Sequence, residues 1–420
     1  MVIVRPRGTN DFLPQETAKW RIVESMLHEI CREFGYGELR TPIFEETELF
    51  QRGVGDTTDI VQKEMYTFTD QGKRSLTLRP ENTASAARAY LENKLFAQTQ
   101  PVKLYYLGPM FRYERPQAGR FRQFHQFGVE VFGTFSPLAD AEVIALAWEF
   151  YNRLKIKNMQ LQLNSVGCSK CRNEHRQILQ DFLEPHLAEL CLTCRERFTR
   201  NPLRIMDCKS PICREITKNA PTIYDHLCQE CEEHFAMVTG ALRAAGIPYT
   251  LNKRLVRGLD YYTKTAFEII VKDIGAQSAI CGGGRYDGLL KQLGSKEPIP
   301  GVGFALGMER IFSALKSQGD DLEPQVAPDV FIVSSPGNLQ VNEAAFALTV
   351  QLRQAALYVE QDLSGKSMKA QFKLADKWQA PFVIVIGEEE LSLGKALLRD
   401  MNSGEQRMLS MDEIKNHLVK

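Results

Sequence analysis

FRYERPQAGRFRQFHQFGVEVFG, Phe111 to Gly133, reads as the turn and return strand of a β-hairpin whose loop is loaded with arginine. The first strand of that hairpin runs Val102 to Tyr113, the second Phe124 to Gly133, and Arg115, Arg120 and Arg122 lie in the polar loop between. Alternation along the second strand puts Phe124, Gln126, Gly128 and Glu130 on one face. That face offers an aromatic ring, an amide, a gap and a carboxylate, a set suited to stacking a base and holding a polar substrate. Arginine keeps its charge and presents a planar fork matched to phosphate oxygens, so such a loop is fitted to fold over a nucleotide. The competing reading is a solvated, charged hairpin that binds nothing.

Upstream, Trp20, Val23, Met26, Leu27 and Ile30 recur at helical spacing between Glu16 and about Phe34, and Gly35 and Gly37 end the pattern. Leu39 to Phe44 is extended in character, with Pro42 marking an edge or an end because proline cannot donate to a strand ladder. Downstream, a helix begins after Asp140 and Met159 to Ser165 alternates like a strand. Strand character resumes at Phe267 to Val271, followed by a glycine cluster at Gly282 to Gly284. Gly301 to Gly307 then leads into a helix from Met308. Ser317 to Pro328 is polar, holds two prolines and reads as a linker. From Asp329 to Lys420, strands at Val330 to Val333 and Phe382 to Ile386 alternate with helices, the pattern of a separate small α/β domain.

The 420 residues predict two or three domains. With 44% hydrophobic and 25% charged residues, the composition is that of a globular enzyme. No apolar run of signal-peptide length occurs near Met1 and no window approaches the ~18 apolar residues of a membrane span, so a cytoplasmic protein is expected. Lys plus Arg and Asp plus Glu both total 52, giving a formal net charge of zero. A global field that attracts nucleic acid is thereby excluded, and any RNA contact must come from local basic patches.

Four further segments carry chemistry. TLRPENT, Thr77 to Thr83, sets the Glu81 carboxylate beside the Thr83 hydroxyl, a pair able to hold an α-ammonium group. LVRGLDYYTKTAFE, Leu255 to Glu268, sets Arg257 and a tyrosine pair beside a strand. CGGGRYDG, Cys281 to Gly288, allows close backbone approach and displays Arg285 and Tyr286. It is not GxGxxG after a strand, and no GxxxxGK[ST] occurs, so neither a dinucleotide fold nor a P-loop is supported. GVGFALGMERI, Gly301 to Ile311, is a small-residue strand entering a helix whose first turn carries Arg310; the helix N-terminus and the guanidinium both favour a phosphate.

In chain order these segments resemble the signature motifs of class II aminoacyl-tRNA synthetases. Pro42 after the long helix resembles the dimer-forming first motif, Phe111 to Gly133 the second and Gly301 to Ile311 the third. LVRGLDYY and CGGGRYDG resemble the two signatures peculiar to the histidyl-tRNA synthetase family. The resemblance begins at RGTNDFLP, Arg7 to Pro14, and continues through the C-terminal domain. It departs at Asn82, where glycine is expected, and at Phe121, where tyrosine is common.

The resemblance implies a class II catalytic domain built on an antiparallel sheet with flanking helices. It also implies an inserted, mainly helical Cys-rich domain and a C-terminal α/β anticodon-binding domain, the chain dividing as 1–166, 167–240, 241–322 and 329–420. It implies a homodimer that activates histidine with ATP and Mg²⁺ and loads it onto tRNA(His) through an adenylate. Arg112 and Arg257 then flank the α-phosphate as the catalytic pair, Arg257 doing work that a metal ion does in related enzymes, and Arg120 reaches the pyrophosphate end. Arg310 and Phe124 sandwich the adenine. Glu130 and Tyr262 read the two ring nitrogens of histidine, Glu81, Thr83 and Gln126 bind its amino-acid end, and Tyr286 closes the pocket. Lys366, Lys369 and Lys373 are candidates for the anticodon stem, the competing reading being a solvated helix face. The alternative is a non-catalytic paralogue regulating histidine biosynthesis, expected to lack LVRGLDYY and the C-terminal domain, both of which are present.

Ten cysteines need their own account. Cys31 and Cys281 are isolated and read as small buried hydrophobes. The other eight lie between Cys168 and Cys231 in four close pairs. Cys168-x-x-Cys171 and Cys191-x-x-Cys194 have the pair-to-pair spacing of a zinc ribbon, and Cys208 and Cys213 with Cys228-x-x-Cys231 supply a second set. Reduced thiols in a helical insertion are the alternative, and the resemblance demands no metal. The insertion also carries Arg195, Arg197, Arg200 and Arg204, read either as partners of the tRNA acceptor stem or as a solvated charge run.

Overall fold

The first helix, Pro14–Glu33, turns Trp20, Val23, Leu27, Ile30 and Cys31 inward, as their spacing requires. It starts ahead of the apolar pattern because proline is tolerated in a helix's first turn. The computed structural model describes residues 2–55, 58–117, 119–208, 210–256, 261–271, 279–319, 322 and 327–419. Arg257, assigned to the α-phosphate by resemblance, lies outside the described residues, as does much of the expected linker. The chain divides into two compact units, Met1–Leu322 and Glu323–Lys420.

An eight-stranded sheet organises the first unit. Its spatial order is Gly37–Glu38, Val102–Phe111, Gln123–Phe132, Gly301–Gly307, Ala279–Arg285, Thr263–Val271, Met159–Ser165 and Tyr249–Leu251. The interior pairings are antiparallel and the two edge pairings parallel, as the fold class implied. The arginine-rich hairpin closes earlier than its pattern suggested: Tyr113, expected in the first strand, gives its N–H to Glu64 O at 2.7 Å, so the ladder has already ended. The extended character of Leu39 to Phe44 also splits, leaving only Gly37–Glu38 and Phe44–Glu46 paired, with Pro42 between them. Phe44–Glu46, Ser75–Leu78 and Tyr66–Thr69 form a separate three-stranded sheet.

One face of the large sheet is apolar. Phe127, Val129, Val131, Leu161, Leu163, Phe267, Ile269 and Phe304 bury against helices Pro14–Glu33, Pro137–Arg153, Gln229–Ala244 and Met308–Ser317. The other face is left for the site. Cys31 and Cys281 are buried, as read.

Helices Ser169–Leu183, Leu192–Arg200 and Pro211–Thr217 make the Cys-rich insertion, with a small core that includes Leu179, Leu183, Leu190 and Ile205. Helix Gln229–Ala244 sends Phe235, Val238 and Leu242 into the main core instead. The cysteines do not group as their linear order suggested. Cys168 and Cys171 meet Cys228 and Cys231, and Cys191 and Cys194 meet Cys208 and Cys213. Helix Ser169–Leu183 carries the chain away from the first pair, so its partners are the pair met on the return. One of the four arginines singled out in the insertion also departs from its reading. Arg204 is buried, which removes it from any RNA surface, and Arg195 donates to the carbonyls of Leu190 and Ala188. Arg197 lies 3.7 Å from Asp59, and Arg200 is exposed.

In the second unit a five-stranded sheet runs Val359–Gln361, Val330–Ser334, Phe382–Ile386, Lys395–Asp400 and Gln406–Ser410. Helices Leu339–Gln354, Met368–Lys377 and Met411–Leu418 accompany it. Lys366, Lys369 and Lys373 are exposed. Among the described residues no helix is long and apolar enough to cross a membrane.

Candidate active site

Strand register puts residues of one rung on one face. Tyr106, Gly128, Ala305, Gly282 and Glu268 share a rung, and Leu104, Glu130, Gly303, Gly284 and Ala266 share the next. The small residues clear the middle of the sheet. A side chain at Gly128 would run into the Tyr106 ring and one at Gly303 into the Glu130 carboxylate, so both positions need glycine for close approach. Over this floor lies a cavity of about 280 Å³, near the lower end for small-molecule sites. Glu81, Thr83, Arg112, Arg120, Phe124, Gln126, Tyr262, Tyr286 and Arg310 all line it.

Glu81 is buried at the start of helix Thr83–Glu92, where its carboxylate accepts the N–H groups of Thr83 at 2.8 Å and Ala84 at 3.0 Å. Those two bonds fix its direction. Burial still pushes its pKa above the ordinary carboxylate value, against the two amides. Asn82, the departure from the family pattern, is buried. Its Oδ1 accepts from Thr41 Oγ1 at 2.7 Å and Arg79 Nη1 at 3.3 Å, so the extra side chain ties the loop down.

Glu130 does not line the cavity; it lies beneath the floor, fully buried. The Tyr286 hydroxyl donates to it, and the Tyr106 hydroxyl does so at 3.2 Å. Burial pushes the Glu130 carboxyl up to about 8 despite those hydroxyls.

At the cationic end, Arg112 Nε donates to Pro80 O at 2.8 Å and its guanidinium lies 5.2 Å from the Phe124 ring. Arg112 thus supplies a cation over the Phe124 ring. Arg120 pairs with Glu114 at 3.2 Å. Arg310 donates to Ala279 O at 2.5 Å; burial, then the neighbouring Arg120, lowers its pKa. Partly desolvated guanidinium groups gathered in one cavity suit a polyanion.

Arg285, read as displayed beside Tyr286, turns away from the cavity. It is fully buried against Asp140 and donates to Thr134 O at 2.9 Å and Ser136 O at 3.1 Å. His234 Nε2 reaches the same Asp140 at 3.2 Å. Burial penalises the Asp140 carboxylate, but His234 and Arg285 outweigh it and hold its pKa below the ordinary range. The sequence reading missed Tyr106, Glu268 and Glu309. Glu309 lines the cavity and accepts the His125 N–H at 2.9 Å, and alternation from Val102 would have put Tyr106 on the site face.

Residues 8–311 match the family model described as histidyl-tRNA synthetase, and residues 329–420 match the anticodon binding domain. A histidine–tRNA ligase of Pelotomaculum thermopropionicum is 57% identical over 418 residues, covering 100% of this chain and 98% of the relative. That of Clostridioides difficile is 50% identical over 418 residues, covering 100% and 99%. The crystal structure of apo S. aureus histidyl-tRNA synthetase superposes with a TM-score of 0.86 at 40% identity, covering 100% of both chains. On this full-length likeness and on the family model, the chain belongs to the histidyl-tRNA synthetase family.

Proposed function

We propose that this chain is a cytoplasmic histidine–tRNA ligase, converting ATP, histidine and tRNA(His) to AMP, diphosphate and histidyl-tRNA(His). The observation that carries the reading is one cavity lined by the guanidinium groups of Arg112, Arg120 and Arg310 together with Glu81, Gln126, Tyr262 and Tyr286. The cations match a polyanion, and the carboxylate, amide and hydroxyls match a small amino acid with a polar side chain.

In the first step a histidine carboxylate oxygen attacks the α-phosphorus. The α–β bridging bond breaks and diphosphate leaves; Mg²⁺ brought in with ATP would neutralise part of the phosphate charge. Charge grows on the phosphoryl oxygens, so fixed cations act mainly on the transition state. We assign Arg112 to the α-phosphate, Arg120 to the diphosphate end, and Phe124 and Arg310 to the adenine. Arg257 is assigned by family resemblance to the other side of the α-phosphate. Glu81, Thr83 and Gln126 take the amino-acid end of histidine, Tyr262 one of its ring nitrogens, and Tyr286 closes the pocket. Glu130 is assigned to the other ring nitrogen by family resemblance alone, from beneath the floor, where the Tyr286 hydroxyl donates to it. A polar pocket of this kind rejects apolar amino acids, which would leave its buried groups unpaired. In the second step a ribose hydroxyl of the tRNA's terminal adenosine attacks the activated carbonyl, and AMP leaves.

The same proposal divides the chain into 1–166 and 241–322 as the catalytic domain, 167–240 as the insertion and 329–420 as the anticodon-binding domain. It makes the working form a homodimer, supported by the exposed rings of Phe44 and Phe68 on the small sheet beyond Pro42. Exchange of labelled pyrophosphate into ATP, run with each of the twenty amino acids, tests the whole reading. Exchange with histidine alone is expected. The non-catalytic alternative gives none with any amino acid.

A further inference from the structure

The insertion's thiols are arranged as two closed ligand sets. In each tetrad all four Sγ atoms lie within 4.8 Å of one another. Cys168 lies 3.7 Å from Cys171 and 3.8 Å from Cys228, and Cys191 lies 3.8 Å from Cys208. Four sulfurs placed ~2.3 Å from a tetrahedral zinc ion stand about 3.8 Å apart along each edge, which matches these separations. A disulfide needs about 2.05 Å, and all eight cysteines are free.

Backbone N–H groups point at the sulfurs as well: Cys228 N at Cys171 Sγ, 3.1 Å; Cys191 N at Cys213 Sγ, 3.3 Å; Ser210 N at Cys208 Sγ, 3.4 Å. Such donors stabilise negative sulfur and orient it as a ligand. An all-thiolate tetrad selects a soft or borderline cation over Mg²⁺ or Ca²⁺, and it leaves no coordination position for substrate. The insertion's core is small, the circumstance in which a staple contributes most.

We infer that the insertion is built on two nested structural zinc sites, Cys168/Cys171/Cys228/Cys231 at its base and Cys191/Cys194/Cys208/Cys213 within its own core. The base site closes the insertion where the chain leaves and rejoins the catalytic sheet. It also reaches the pocket. Arg172, next to Cys171, donates to Val166 O at 3.2 Å and to the backbone carbonyl of Tyr262, a residue lining the cavity. The base zinc thus holds the backbone of Tyr262 in place, and Cys171 and Arg172 act as positioning residues; this last consequence rests on the ligase reading.

The test is the metal content of the full chain, purified under reducing conditions without added metal and dialysed against a weak chelator. Two zinc ions per chain are expected by elemental analysis. Cys228→Ser and Cys208→Ser should each lower the count to one. Because either variant can fail to fold, the unaltered chain is also grown with cobalt in place of zinc. Sulfur-to-cobalt charge-transfer absorption of tetrahedral tetrathiolate sites is expected, at an intensity for two ions. One ion or none in the unaltered chain, or ten freely titrating thiols in its native state, overturns the inference. For the positioning role, Cys228→Ser should raise the KM for histidine at least severalfold more than that for ATP, whereas Cys208→Ser should move neither. Equal effects of the two variants on the histidine KM overturn that part. Two bound zinc ions with no histidine-dependent exchange would leave the metal sites standing and remove the ligase reading; exchange with no metal would do the reverse.

Discussion

At Gly303 the sheet leaves room for one carboxylate, and that carboxylate, Glu130, has lost its water. Its pKa stands at about 8 against an ordinary 4.5. Between those values the native chain binds a proton that the unfolded chain has released. The stability contributed by this group is therefore complete below about pH 4 and is lost as pH rises through about 8. Glu130→Gln cannot ionise, so its melting temperature relative to the parent should rise from about pH 6 to about pH 9. A gap that stays constant in thermal melts across that range would show that Glu130 is not the titrating group. Arg112 is the second residue to test. Arg112→Ala should lower the single-turnover rate of adenylate formation by about a hundredfold, the scale of losing one fixed donor, with a smaller change in ATP affinity. An unchanged rate would remove Arg112 from the chemistry. Alternation alone made the Phe124, Gln126, Gly128 and Glu130 face legible, because a strand's period fixes direction locally. It did not show that Tyr286 and Tyr106 would shield Glu130 from the cavity, since both hydroxyls arrive from other strands or loops. Arg285 was misread for the same reason: its partner Asp140 lies on a helix far away in sequence.

That Asp140–Arg285 pair works at the scale of elements. It joins strand Ala279–Arg285 to helix Pro137–Arg153, and His234 adds helix Gln229–Ala244. Breaking a buried pair from one side strands the other charge. Arg285→Met should therefore cost about 3–5 kcal/mol in denaturant unfolding, although the residue touches no cavity wall. A loss below about 1 kcal/mol would mean that His234 alone satisfies Asp140. Elements with strong periodicity were legible: Met159–Ser165 and Phe382–Ile386 stand where their patterns put them. The cysteine grouping was not. Spacing along the chain reports which thiols are close in sequence, whereas helix Ser169–Leu183 decides which are close in space.

For the whole molecule, the cavity residues named above all belong to the first compact unit. Truncation after Leu322 should leave histidine-dependent pyrophosphate exchange in reduced form while transfer to tRNA falls much further. Light scattering must first show that the shortened chain remains dimeric, and the full chain should register twice its 47.7 kDa. A dimeric truncation that charges tRNA as well as the full chain would end the anticodon-domain assignment, and a full chain of monomer mass would end the dimer. The division into two compact units was legible from the linker and the change of pattern after it. The order of strands was not, because register between distant segments is a tertiary property. That order has a consequence for synthesis. Residues 37–132 supply one half of the large sheet and residues 159–285 the other, each contiguous in the chain, and Gly301–Gly307, which joins them, leaves the ribosome last. Until it arrives, the nascent chain carries two half-sheets with open edges, the state in which strands pair with the wrong neighbour or recruit a chaperone. The keystone of the large sheet is thus the last of its strands to be made, and the floor of the cavity cannot be complete before it.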